Sequence, residues 1–375
     1  MLKQLKKRYK PKVETLNTIS VNKTAILNNI AIIRALQPNN AVFPVLKSNA
    51  YGHWIQQILE IIKWQDFPYL IVDSFPEYQI IHNNSKFNIL IMWETLKENY
   101  RYFDYKRTTV AVYNIQTLHY LISLKKKIKI HLFLNTWMNR EGIQKQNLQT
   151  FLDLLQSTPQ ITLEWVMSHL YDADQNEKNH INEQIATFKS MTEIIESAWF
   201  HPIRKHIWAS AGMTNINDNY FTARRPWLIF YGYSPFSDTV EKLKNLTPAL
   251  KLNSTIISLQ EIQANEWVSY NHKRMSKTPC TTATVPFWYY EWRLRTLSWK
   301  LTYYYHNQPT QQLWTICMNL SSILALPWMQ VWDKIELICD DNKKENSICS
   351  IAEKANTIPY EILIRLDKWI RRIIN

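Results

Sequence analysis

Residues 26–47, ILNNIAIIRALQPNNAVFPVLK, contain the pattern that decides the fold. Ile26, Ile30 and Ile33 recur at the spacing of one face of an α-helix. The run AVFPVLK (41–47) that follows is almost wholly apolar, which is typical of a parallel strand covered on both faces. The segment therefore predicts a helix followed by a buried strand.

Seven similar apolar runs follow in the first two-thirds of the chain, with helical patterns between them, such as the stripe of Ile181, Ile185, Phe188 and Ile195. The predicted strands are YLIVDSF (69–75), NILIMW (88–93), TVAVYN (109–114), IHLFLN (130–135), TLEWVMSHL (162–170), KHIWAS (205–210) and WLIFYGY (227–233). Eight strands separated by helices predict an α/β fold, a (β/α)8 or TIM barrel.

The pattern changes after about residue 245, and this change predicts a second domain. Segments such as CTTATVPFWYY and WKLTYYYH are β-branched and aromatic, without a long helical stripe between them. We assign residues 13–245 to the barrel and residues 246–375 to a mostly antiparallel β domain. The basic residues 1–12 are expected to form a flexible tail.

Composition excludes several classes of protein. The chain has 375 residues and a net charge of +13, but its Lys and Arg residues are scattered and accompany no nucleic-acid recognition motif, so no nucleic acid is expected as a partner. It contains no long apolar stretch that could span a membrane and no secretory signal, which makes the cytoplasm the expected location. The widely spaced cysteines favour neither a metal site nor a disulfide framework.

Polar residues at predicted strand ends are the candidates for chemistry, because a TIM barrel carries its active site at the carboxyl ends of its strands. Lys47, Arg140, His169, Ser210 and Arg225 follow or border five of the runs. Each has a structural alternative: a surface lysine, salt-bridge arginines, a core histidine and a serine helix cap. Burial at a barrel mouth would lower the pKa of Lys47 and favour Schiff-base chemistry.

The string VLKSNAYGH (45–53) resembles the motif of the alanine racemase family that carries the lysine for pyridoxal 5′-phosphate (PLP). The similarity covers nearly the whole chain, from about Ile19 to the C-terminus. It continues in order through HLFLNTWMNREGI, LEWVMSHLYDAD, HIWASAGM, RRPWLIFYGYSP, EWVSYNHK, VPFWYYEW, WTICMN and TIPYEIL. The resemblance implies a PLP-dependent racemase that interconverts L-alanine and D-alanine for peptidoglycan.

The resemblance also implies the catalytic roles. Lys47 is similar to the Schiff-base lysine, whose freed amine acts as a base on one face of the substrate Cα, and Tyr270 to the tyrosine that acts on the opposite face. Arg225 is similar to the arginine that faces the pyridine nitrogen, with His169 beside it. Arg140 is similar to the arginine near the cofactor's phenolic oxygen and the substrate carboxylate.

The remaining implied contacts concern the phosphate and the substrate. Tyr51, Ser210, Tyr360 and the backbone at Trp227 and Leu228 match the phosphate-binding set. Tyr289 and Met318 match residues near the substrate. By the same resemblance the protein is expected to be a homodimer, in which Tyr270, Tyr289 and Met318 complete the partner's active site.

Three residues depart from the family pattern. Phe133 stands where many members carry a lysine, sometimes carbamylated, that positions the arginine corresponding to Arg140. Asn135 and Asn319 stand where aspartate is usual. Racemisation of another small amino acid such as serine, a non-catalytic PLP-binding role, a PLP decarboxylase and a decayed paralogue therefore stay open as alternatives.

Tryptophan is abundant where glycine is scarce, with 16 tryptophans and 4 glycines, although glycine usually makes up about 7% of residues. The tryptophans fall at positions where the family has or accepts glycine, as at Trp54, Trp137 and Trp227. We hypothesise that the gene belongs to a bacterium that translates UGA as glycine, and that the printed sequence translates UGA as tryptophan.

Overall fold

The computed structural model describes residues 14–173, 179–201, 204–215, 218–236, 240–267, 277–287, 297–313 and 318–375. These residues form two compact units, one made of Asn22–Ala249 and the other of the residues up to Val21 together with Leu250–Ile373. The predicted basic tail, residues 1–12, lies outside the described residues.

The first unit contains parallel strands that form a barrel. The strands are β2 (Ala41–Val42), β3 (Leu70–Val72), β4 (Ile89–Ile91), β5 (Thr108–Val112), β6 (Ile128–Phe133), β7 (Ile161–Met167), β8 (Arg204–His206) and β9 (Ala223–Arg224). Strands β3 to β8 form one continuous parallel sheet, and β2 pairs with β9 in the same sense. Nearly every residue of β3 to β5 is buried, as the uninterrupted apolar runs predict.

Hydrogen bonds between these two sheets close the barrel. Val45, just after β2, forms a parallel bridge with Ile71 of β3. At the other junction the Thr222 amide donates to the Lys205 carbonyl at 3.0 Å. The (β/α)8 barrel predicted from the sequence is therefore confirmed.

Helices of the first unit follow most barrel strands. They span Lys23–Leu36, Ile55–Ile62, Phe75–Asn84, Lys97–Tyr100, Ile115–Ser123, Leu148–Gln156, Asn179–Ser197 and Gly212–Asn215, with short 3-10 helices at Lys145–Asn147, Leu228–Tyr231 and Glu241–Leu243. The predicted stripes on Lys23–Leu36 and Asn179–Ser197 are buried as expected, including Ile26, Ile33 and Phe188. In the part of the chain that the structure describes, no helix has the length and hydropathy needed to cross a membrane.

The predicted eighth strand, WLIFYGY (227–233), is wrong. Its apolar residues Leu228–Tyr231 are buried, but they form a 3-10 helix that ends at Gly232. The Asn29 amide of the first helix donates to the carbonyl of Phe230 at 3.4 Å. The eighth barrel strand is the two-residue β9, too short to produce a recognisable apolar run, so Arg225 follows this strand rather than preceding one.

The second unit contains a nine-stranded, mostly antiparallel sheet with the order β11-β12-β15-β14-β13-β16-β10-β1-β17. The strands are β1 (Thr18–Val21), β10 (Leu250–Thr255), β11 (Ser258–Ile262), β12 (Cys280–Val285), β13 (Thr302–Tyr305), β14 (Gln308–Leu313), β15 (Ser321–Leu324), β16 (Lys334–Ile338) and β17 (Arg371–Ile374). Helices Ile348–Lys354 and Pro359–Ile364 precede β17. Strand β1 pairs with β10, so this N-terminal segment, assigned to the barrel from the sequence, lies in the second sheet.

A pair of histidines lies in the barrel interior. His206 Nε2 lies 3.2 Å from His131 Nδ1, and the ring of His131 stacks on Trp165 with centroids 5.3 Å apart. Both histidines are fully buried. Burial lowers the pKa of His131 to about 4 and lowers the pKa of His206 further below its ordinary range. Both side chains are therefore neutral in the folded protein.

This pair predicts an acid-labile barrel. Between pH 6.5 and 4 an unfolded histidine binds a proton that the buried His131 does not bind, so the contribution of His131 to the free energy of unfolding should fall across that interval by roughly 3 kcal/mol. The lowered pKa of His206 adds a contribution of the same sign. Urea denaturation of the protein and of its His206→Gln variant at several pH values measures this effect. If the free energy of unfolding changes with pH in the same way in the two proteins, the histidine pair is not the cause of the acid lability.

Candidate active site

Lys47 follows the first barrel strand and begins an unusual turn. Ser48, Asn49, Ala50 and Tyr51 all have positive φ, between 49° and 55°, so they form one turn of left-handed helix. Such a conformation costs an L-residue roughly 1–2 kcal/mol, which is offset here by burial and hydrogen bonding. The Asn49 amide donates to Glu77 Oε1 at 2.8 Å, and Ala50 is fully buried.

The surroundings of Lys47 favour its neutral amine. Burial lowers the pKa of Lys47, the carboxylate of Asp73 opposes this shift, and the cation of Arg140 adds to it. Lys47 Nζ also lies 4.1 Å from the centroid of the Trp93 ring. An amine with a lowered pKa at the mouth of a barrel can act as a nucleophile and as a base.

Arg225 places a second polar group in the barrel. It is 2% exposed, and its Nη2 donates to the carbonyl of Ser168 and, at 3.0 Å, to that of Ile207. Burial lowers the pKa of Arg225 to about 9, so the guanidinium stays protonated at neutral pH. Its Nη1 is also buried, yet has no hydrogen-bond partner among the described residues.

His169 and Arg140 belong to the same cluster. Burial and then the cations of Arg225, Arg140 and Lys47, in that order of size, together lower the pKa of His169 to about 3. His169 is therefore neutral. Arg140 is half-exposed and pairs with Glu141. The four candidates Lys47, Arg140, His169 and Arg225, drawn from four strand ends, are thus brought together.

Three of the predicted phosphate-site residues also lie together. The Trp227 amide donates to the Ser210 hydroxyl at 3.1 Å, and Ser210 is fully buried. The rings of Tyr51 and Trp227 are 5.8 Å apart. Leu228 begins the 3-10 helix directly after Trp227. Amides at the start of such a turn are suited to an anion.

The other candidates belong to the second unit or lie outside the described residues. Tyr360 and Met318 belong to the second unit, where Tyr360 lies in helix Pro359–Ile364 and Met318 is 58% exposed. Tyr270 and Tyr289 lie outside the described residues.

Two of the residues that depart from the family pattern, Phe133 and Asn135, are buried and lie a few residues before Arg140 in the sequence. Phe133 packs in an apolar cluster with Ala111 and Met167. The side-chain amide of Asn135 donates to Asn139 Oδ1 at 2.8 Å, so this side chain holds the following loop. Asn319, in the second unit, is exposed.

Three residues near Lys47 were missed by the sequence analysis. Asp73 follows β3, Trp93 follows β4 within two residues, and Glu77 accepts from the Asn49 amide. Burial raises the pKa of Glu77 to about 7, against the hydrogen bond from Asn49. The strand-end rule, applied to the second and third strands as well, would have found Asp73 and Trp93.

Family models match both units of the chain. Residues 21–235 match the alanine racemase N-terminal domain, and residues 249–374 match the alanine racemase C-terminal domain. The chain belongs to the alanine racemase family.

Individual proteins of the family align along most of their length. "Alanine racemase 2" of Caldanaerobacter subterraneus is 26% identical over 95% of this chain and 94% of its own length. The alanine racemase of Leptospira interrogans is 27% identical over 95% of both chains. Among solved structures, the alanine racemase of Clostridium difficile 630 has a TM-score of 0.91 at 23% identity, covering 97% of each chain.

A second solved structure supports the same fold. The alanine racemase of Bacillus anthracis, solved with bound L-Ala-P, has a TM-score of 0.88 at 23% identity and covers 97% of this chain and 96% of its own. At this identity, the likeness establishes the barrel and the antiparallel domain.

Proposed function

We propose that this protein is a PLP-dependent alanine racemase that interconverts L-alanine and D-alanine, supplying D-alanine for peptidoglycan in the cytoplasm. The observation that carries the proposal is the cluster of Lys47, Arg140, His169 and Arg225 at one end of the barrel, in a chain that matches both domains of the family. The full-length relatives named alanine racemase support the same activity.

The residues of the cluster fit PLP. Arg225 Nη1 is a buried donor without a partner in the part of the chain that the structure describes, which suits an acceptor such as a pyridine nitrogen. Lys47 has a lowered pKa, which suits covalent binding through its amine. Ser210, the Trp227 amide and Tyr51 provide a candidate site for the phosphate. When bound, PLP supplies the electron sink that makes the Cα proton of alanine acidic.

Two bases on opposite faces carry out the proposed reaction. The Lys47 amine, freed when substrate binds, moves a proton on one face of Cα. Tyr270 moves a proton on the other face, so that removal and return on opposite faces invert the centre. This role of Tyr270 follows from its place in the motif WVSYNHK.

The other side chains orient the reacting groups. Arg225 would hold the pyridine nitrogen of bound PLP by donating to it and, because a guanidinium gives up no proton at neutral pH, would leave that nitrogen unprotonated. His169, neutral and beside Arg225, helps hold it. Arg140 binds the substrate carboxylate and the phenolic oxygen. Tyr360 and Leu228 complete the phosphate site in this proposal.

We further propose a homodimer in which the second domain, residues 246–375, contributes Tyr270, Tyr289 and Met318 to the barrel of the partner, residues 13–245. Met318 is exposed in the single chain, as a residue that completes a partner's site would be. A monomer would then lack the second base.

We propose in addition that the tryptophans are glycines in the native protein. Trp54, Trp137, Trp199, Trp299 and Trp332 have φ between 63° and 81°. A bulky residue at positive φ is a genuine outlier, whereas glycine adopts it without cost. Four of these five side chains are also substantially exposed, from 40% at Trp299 to 86% at Trp199.

Activity tests the proposed function. The PLP-loaded protein with glycine at all sixteen tryptophan positions should convert L-alanine to D-alanine. Lys47→Ala should lower kcat/KM by at least about a thousandfold, because a base and the covalent anchor are both lost. Lys63→Ala, which removes an exposed lysine paired with Glu60, is the matched control and should leave the rate unchanged. A soluble, PLP-loaded glycine version that leaves alanine untouched would exclude the assignment.

The mass of the protein tests the codon proposal separately. Intact-mass measurement on protein purified from its own organism should match glycine at all sixteen tryptophan positions. A mass that fits the tryptophan sequence would overturn the proposal, whatever the activity of the recombinant versions.

A further inference from the structure

Arg140 has an acidic partner next to it in the chain. Arg140 Nε donates to Glu141 Oε2, and Nη2 donates to Oε1 at 2.5 Å, so the carboxylate holds the planar guanidinium at two points. The Glu141 side chain is only 9% exposed, whereas that of Arg140 is 52% exposed. Among the described residues, Glu141 is the one acid within ion-pair distance of Arg140.

The backbone around this pair is closed and rigid. The Asn135 amide donates to the Ile143 carbonyl at 3.0 Å, and the Ile143 amide donates to the Phe133 carbonyl at 2.8 Å. Gly142 has φ of +110°, and a Cβ there would lie 2.6 Å from the Asn135 nitrogen, so only glycine permits this return of the chain. Glu141 is therefore fixed on the last residues of a loop tied to the end of β6.

The negative charge of Glu141 affects the pKa values of the other groups in the cluster. Its hydrogen bonds raise the pKa of Arg140, and its negative charge opposes the lowering of the pKa of Arg225 and of Lys47 by burial. Phe133, at the end of β6, packs among apolar side chains and offers no charge to Arg140.

We propose that Glu141 is the positioning residue for Arg140, and that it orients the guanidinium for the carboxylate of the substrate. This inference rests on the proposed function and assigns to a neighbouring glutamate the task that Phe133 cannot perform. A guanidinium pinned at Nε and one Nη keeps its remaining N–H groups for a second carboxylate. The pair itself contains no tryptophan, but the guanidinium carbon of Arg140 lies 6.0 Å from the centroid of the Trp93 ring.

Binding of propionate to the PLP-loaded protein tests the inference without turnover. Propionate has a carboxylate but no amine, so its dissociation constant by calorimetry reports the carboxylate site alone. Glu141→Gln keeps the size of the side chain but weakens its hold on Arg140, and should raise the dissociation constant on the order of tenfold. The KM for L-alanine should rise by a similar factor, with kcat changed much less.

Three outcomes separate the inference from the proposed function. Glu60→Gln, which breaks an exposed helix ion pair of similar length with Lys63, should change neither constant. Unchanged or tighter propionate binding in Glu141→Gln would overturn the positioning role of Glu141. Its carboxylate would then only neutralise the charge of Arg140. A parent protein that binds propionate but does not racemise alanine would instead exclude the proposed function.

Discussion

A guanidinium buried inside a barrel, such as that of Arg225, must find hydrogen-bond acceptors or cost the fold several kcal/mol. The carbonyls of Ser168 and Ile207, just beyond strands β7 and β8, accept from its Nη2. Arg225 follows β9, so one side chain ties three neighbouring strands together at the end where Lys47 also lies. The same burial leaves Nη1 as a donor with no protein partner among the described residues, and it keeps the neighbouring His169 neutral.

The electrostatics of the cluster follow from this arrangement. The cation of Arg140 lowers the pKa of Lys47, and the cations of Arg225, Arg140 and Lys47 all lower the pKa of His169. The flexible amine is the group that can lose its proton, because a guanidinium retains its own at neutral pH. Glu141 limits the repulsion by pairing with Arg140. Burial therefore lowers the pKa of Lys47, while both arginines stay charged at neutral pH.

The sequence predicted the barrel well where strands are long and apolar, as in NILIMW and IHLFLN, since burial on both faces leaves a continuous signal. It failed at β9, whose two residues leave no such signal, and the buried 3-10 helix Leu228–Tyr231 imitated a strand. The strand-end rule found Lys47, whereas Arg225 was singled out as preceding a strand that does not form. Glu77 acts from within the next helix and Glu141 from within a loop. These contacts depend on chain geometry that apolar periodicity does not encode.

Five tryptophans have a positive φ that suits glycine. Trp54, for example, has φ of 69° and is the N-cap of the helix Ile55–Ile62, shortly after the left-handed turn that follows Lys47. The fold thus retains a conformation that suits glycine even though the printed residue does not.

The central claim is that Lys47 holds PLP at the barrel mouth, and covalent mapping tests it most directly. The PLP-loaded protein is treated with borohydride, digested and examined by mass spectrometry. The account predicts the added pyridoxyl mass on the peptide that contains Lys47, at that lysine alone. Attachment at another lysine, or no attachment in a protein that still racemises alanine, would contradict it.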